Sequence, residues 1–194
     1  MRPKRHLTLA DLMILVVAMA IGSLILRPYM AGFRQQLSIS PSLYPGPQDP
    51  WRLLAWAQGP GSCFVIPCMA AMVVIRLRNP RPRLFQLQPG FVACAVTLIA
   101  LLPGIAWILT IQHRPGFQRA TGFEQIWTLC TYWVDTAVPG AWFALYLSRR
   151  WRPEASWVDR TGRALGLYWI VQLAAWYLLM TWPGLRGLIS KWTG

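Results

Sequence analysis

Long apolar runs separated by short charged stretches dominate this chain. The clearest, Phe91 to Ile111, has twenty-one positions without a charge, bracketed by Pro89-Gly90 and by His113-Arg114. At 1.5 Å per residue, about 20 apolar residues cross the hydrocarbon of a bilayer, so this run predicts a transmembrane helix. Four further segments read the same way, at about residues 9–26, 61–75, 125–147 and 164–182. The first opens on Thr8-Leu-Ala-Asp11, a capping-box pattern in which two side chains satisfy free amides at a helix start, and is expected to stop at Arg27-Pro28. It reads as a retained span and not a cleaved signal, because Asp11 opens the apolar run and no small-x-small cleavage site follows. The second is short and carries Pro67, so it is expected to recruit residues from Ala55 onward or to cross a thinner part of the bilayer.

Composition agrees with lipid as the solvent. Of 194 residues 55% are apolar and 13% aromatic, with 12 Trp, a residue enriched at membrane boundaries. Only 13% are charged, yet Lys plus Arg is 19 against 6 acidic residues, a formal +13 confined to the loops between apolar runs. That distribution argues against nucleic acid, which requires a basic stripe on a folded surface. It sets an orientation instead, since Lys and Arg in short loops stay on the cytoplasmic side. The N-terminus (Arg2, Lys4, Arg5), the loop after the second span (Arg76, Arg78, Arg81, Arg83) and the loop after the fourth (Arg149, Arg150, Arg152, Arg160, Arg163) hold twelve of the nineteen. The N-terminus is therefore expected inside and the C-terminus outside. Arg76, Arg78, Arg81 and Arg83 form a cluster suited to anionic lipid headgroups, at about 1 kcal/mol per charge near the surface.

Enzyme signatures are hard to find. No Walker loop, G-x-S-x-G elbow, H-E-x-x-H or dinucleotide glycine pattern occurs. Cys63, Cys68, Cys94 and Cys130 lack the spacing of a zinc or redox pair and read as small buried residues. His6 and His113 fall at opposite membrane faces on this topology, so they do not share a metal. No cofactor is implied. Between Arg27 and Pro60 the chain is rich in Pro, Ser and Gln, too polar for a core of its own. Within it Trp51-Arg-Leu-Leu-Ala-Trp56 reads as a short interfacial turn with its rings at headgroup level.

One constellation carries chemical content. Glu124, Thr128, Thr131 and Asp135 are spaced i, i+4, i+7 and i+11, which at 100° per residue places them within a sector of about 60° on the fourth span. Asp135 then arrives near the midplane, where a carboxylate costs at least about 2.5 kcal/mol and is expected to face the bundle or a wet cavity, or to be protonated. Pro139 has no amide to offer the Asp135 carbonyl, as in the broken helices that coordinate cations in transporters. Gln172, with Tyr168 one turn away, reaches a matching depth on the fifth span. The bland alternative is that these groups fasten helices, at about 0.6 kcal/mol per bond in lipid. The spacings Ala18-x-x-x-Gly22 and Gly162-x-x-x-Gly166 mark faces where backbones can approach closely.

The sequence therefore predicts a single all-α integral membrane bundle of about five transmembrane helices. A structural or accessory subunit, in a homo-oligomer or a larger complex of the cell (inner) membrane, is the leading expectation. A transporter or channel subunit built around Asp135 is the alternative. An intramembrane enzyme is disfavoured, because Cys130 and Tyr132 lie on other faces of the helix from Asp135.

Overall fold

The computed structural model describes residues 8–39, 50–78, 88–111, 123–151, 153–154 and 156–181. These residues form five helices and no strand: α1 (Leu9–Ile39), α2 (Pro50–Leu77), α3 (Pro89–Ile111), α4 (Phe123–Leu147) and α5 (Trp157–Thr181). Three of them are long and apolar enough to cross a membrane, over Leu9–Gly32, Gly59–Leu77 and Pro89–Trp107. Among the described residues α4, with Glu124 and Asp135, and α5, with Asp159, Arg160 and Arg163, are not in that set.

Local signals set most of the helix starts. The Thr8–Asp11 capping box is reciprocal: the Thr8 amide donates to Asp11 Oδ2 and the Asp11 amide to Thr8 Oγ1, both at 3.2 Å. Proline opens α2 and α3, where its missing amide costs nothing. α4 ends in a Schellman turn. The Arg149 amide donates to the Tyr146 carbonyl and the Arg150 amide to the Leu145 carbonyl, with Arg149 in the left-handed region at φ 55°.

Several predicted boundaries move. α1 does not stop at Arg27-Pro28 but runs on to Ile39 with Pro28 inside it. A proline removes one main-chain bond, and the helix on its far side is held by contact: Tyr29 is buried with its ring against Gly59 of α2. The Trp51–Trp56 stretch is not a separate interfacial turn. It forms the opening turns of α2, which continues through Pro60 and Pro67. α5 begins at Trp157, before the expected start at Ala164, because Ser156 caps it. Residues 1–7, 40–49, 79–87 and 112–122, with His6, Arg81, Arg83 and His113, lie outside the described residues.

Interhelical contacts give each helix its direction. Gly22 meets Cys63 and Phe64, and Tyr29 meets Gly59, so α1 runs antiparallel to α2. Pro89 meets Trp142, Gly90 meets Asp159 and Gly162, and Gly166 meets Trp142 and Ala93. α3 and α5 are therefore parallel to each other and antiparallel to α4. The start of α1, the end of α2, the start of α3, the end of α4 and the start of α5 consequently share one end of the bundle, called here the capped end.

The core lies among α2, α3, α4 and α5, around Met69, Met72, Ile75, Val134, Val138 and Trp169. α1 is peripheral and leaves Leu9, Met13, Val16, Val17 and Leu24 exposed. Both small-residue pairs are intramolecular packing faces. A Cβ on Gly22 would fall 2.6 Å from the Phe64 ring and 2.9 Å from the Cys63 carbonyl oxygen; one on Gly162 would fall 2.6 Å from the Gly90 carbonyl oxygen. Only glycine permits that approach of α5 to α3.

Candidate functional site

Along α4, Thr131 and Asp135 are both buried, on the face turned to the other helices. Glu124 and Thr128 belong to the same helix, but their side chains lie outside the described ones. From α5, Gln172 is buried and hydrogen-bonds Tyr168, and Asp135 lies close enough to the Tyr168 hydroxyl to interact with it electrostatically. Cys63 of α2 and Tyr29 of α1 lie within the same reach. The Tyr168 hydroxyl packs against Gly61 of α2, and the buried Asp135 of α4 lies within electrostatic range of it. α4 continues without interruption through Pro139.

Toward its other end α4 is tied to α2 by a short polar chain. Trp127 Nε1 donates to Ser62 Oγ at 2.7 Å, and Ser62 Oγ donates to the Gly59 carbonyl at 2.8 Å. Two further indoles in the core find acceptors: Trp142 Nε1 donates to the Pro89 carbonyl at 2.9 Å, and Trp169 Nε1 to the Met69 sulfur at 3.4 Å, whereas the buried Trp157 Nε1 has none among the described residues. The four cysteines are free thiols; Cys63, Cys94 and Cys130 are buried and Cys68 is half-buried.

A second polar constellation, at the capped end, has no counterpart in the sequence reading. Asp159 is its centre. Its Oδ1 accepts from the Gly90 amide at 2.9 Å; its Oδ2 accepts from the Glu154 amide at 3.0 Å and pairs with Arg163 Nε at 3.2 Å. Glu154 in turn pairs with Arg76 at 3.2 Å and accepts from Gln88 Nε2 at 2.7 Å. Arg76, Gln88 and Asp159 are all almost fully buried. The cluster joins the end of α2, the starts of α3 and α5 and the connection from α4. Burial pushes the Asp159 carboxyl up, aided by the nearby Glu154 charge; the Gly90 and Glu154 amides and the Arg163 guanidinium pull it back without cancelling the rise. A cavity of about 10 Å³ beside Arg76, Gln88 and Asp159 has room for a single water.

The headgroup cluster expected at Arg76, Arg78, Arg81 and Arg83 loses a member for this reason. Arg76 is buried and ion-paired with Glu154, so it does not point to lipid, while Arg78 is exposed. The signal for the cluster was in the sequence. Ser156-Trp-Val-Asp159 has the same capping pattern as Thr8-Leu-Ala-Asp11, and the Asp159 amide does donate to Ser156 Oγ at 3.3 Å. It stands in a loop whose five arginines draw attention to orientation instead. Every acidic side chain described, Asp11, Asp135, Glu154 and Asp159, is buried or half-buried. In a chain with so few acids, each one that is described serves the interior.

Among the described residues no three His, Cys, Asp or Glu side chains converge as a metal site would need. Compared with protein-family models, curated proteins and solved structures, the chain matches none. The class defined by its own residues is an all-helical protein with three membrane-competent helices.

Proposed function

We propose that this chain is a five-span protein of the cell (inner) membrane, N-terminus cytoplasmic and C-terminus outside, acting as a structural or accessory subunit of a membrane complex. Alternating helix directions support the five-span count, since they gather the starts and ends flanked by twelve of the nineteen cations at one end. The role rests on one observation: the polar side chains bind helices to one another. Trp127 and Ser62 tie α4 to α2, Arg76, Glu154 and Asp159 bridge helix ends, and Asp135 and Gln172 are buried in the bundle, while α1 and α3 expose mostly apolar side chains. Such a protein offers a greasy body to a partner. Purified in mild detergent, it is expected to carry a partner at fixed stoichiometry. A self-contained oligomer whose reconstituted vesicles show solute flux refutes the reading.

The second reading, a transporter or channel subunit around Asp135, is favoured by a carboxyl buried within electrostatic range of Tyr168 in a helix that contains Pro139. Asp135→Asn separates the two. Fastening predicts a lower melting temperature, by the equivalent of about 0.6 kcal/mol for each bond weakened. Transport predicts lost flux with stability intact.

A further inference from the structure

A lateral groove runs along the bundle between α1 and the α3–α4 pair, with α2 as its floor. Its volume is about 450 Å³ and every lining side chain is apolar. Along α1 it extends from Ile14 to Ile25, which at 1.5 Å per residue is about 16 Å, about half the hydrocarbon thickness. A single file of methylenes matches its length and its apolar lining. The polar groups in its lining are the Cys130 thiol and the Trp127 indole N–H, the latter already donated to Ser62, so the groove has little to offer a polar solute.

The floor of the groove supplies the second observation. Ile66, Ala70 and Val74 follow one another at i+4 along α2, and the Arg78 amide bonds to the Val74 carbonyl at 3.1 Å, so the same helical register carries Arg78 to the mouth. Arg78 is exposed there, whereas Arg76 two residues earlier is buried against Glu154. An apolar trough thus leads to an accessible guanidinium at the capped end, which is complementary to a hydrocarbon chain bearing an anion at its end. We infer that this groove seats one acyl chain of an anionic phospholipid, with the headgroup phosphate held at Arg78.

The inference rests on the membrane reading above and is tested on the full-length chain in mild detergent. Native mass spectrometry with added phosphatidylglycerol or chain-matched phosphatidylcholine counts bound lipids. One phosphatidylglycerol per chain is expected, held about five-fold more tightly than phosphatidylcholine, the worth of one interfacial arginine. Arg78→Gln, on the exposed end of α2, is expected to erase that preference while the melting temperature stays the same. Ala70→Phe, which fills the floor, is expected to lose both lipids; Ile105→Trp blocks the groove from its exposed rim and gives the same answer if the floor variant does not fold. Equal binding of the two lipids, a preference that survives Arg78→Gln, or lipid retained in a folded blocked variant overturns the inference. So does a partner protein crosslinked by a photoreactive side chain at position 70. Failure of the chain to fractionate with membranes sinks the membrane reading itself, a result distinct from any of these.

Discussion

Replacing Asp159 by alanine removes the hub of the capped end. Three interactions disappear together: the bonds from the Gly90 amide at 2.9 Å and the Glu154 amide at 3.0 Å, and the pair with Arg163 at 3.2 Å. Gly90 is buried, so its amide is left without an acceptor at a cost of about 1–3 kcal/mol. The Glu154 bond is part-buried, which puts its loss near the lower end of that range at about 1 kcal/mol. Arg163 is 32% exposed, and solvent screening holds its pair with Asp159 below about 1 kcal/mol. The sum is about 3 kcal/mol, or on the order of 10 °C in melting temperature for a chain of this size. Cys63 and Cys94, buried free thiols, make the assay simple: a thiol-reactive dye reports unfolding in detergent as they become accessible. Arg163→Ala is expected to shift the transition only slightly. If it destabilises as much as Asp159→Ala, charge pairing and not amide capping holds this end, and the reasoning fails. Acidity gives an independent check. A carboxyl whose folded pKa is raised binds its proton more tightly in the fold than in the unfolded chain. Its contribution is therefore greatest in acid and falls as pH rises from the ordinary value of about 4 through the raised one. The melting temperature of the parent relative to Asp159→Asn should decline over that window; a rise refutes the burial argument.

Four other substitutions test the packing and the turns. Gly162→Ala places a Cβ 2.6 Å from the Gly90 carbonyl oxygen and should cost about 1–3 kcal/mol, whereas Gly140→Ala meets nothing within 4 Å and should stabilise α4 by about 0.5–1 kcal/mol; thermal melts of the two should move in opposite directions. Arg149→Gly relieves a left-handed residue at φ 55° and should raise stability by about 0.5–1 kcal/mol, read as a higher melting temperature. Trp142→Phe leaves the Pro89 carbonyl without its 2.9 Å donor and removes an edge-on contact with Trp151 at 5.4 Å, so a loss of about 1–3 kcal/mol is expected, with quenched tryptophan emission as an independent readout.

Apolar run length and proline position by themselves determined much of this molecule. They predicted helices and no strands, placed a helix over most of each of the five runs, and identified Thr8-Leu-Ala-Asp11 as a cap, because these are local matters of hydrophobic length and backbone amides. The i, i+4, i+7, i+11 stripe likewise put Thr131 and Asp135 on one buried face, since helix geometry relates positions on one rod. What one rod does to another is not periodic and could not be read that way. Pro28 looks like a stop until Tyr29 is seen against Gly59 on α2, and Arg76 looks like a headgroup ligand until Glu154, seventy-eight residues later, arrives beside it. Gly90 and Gly162 gave no sign that they would meet. Only the tertiary structure decided which buried charges found each other, because electrostatic pairing and close backbone approach depend on distances in space that the spacing along a chain does not encode.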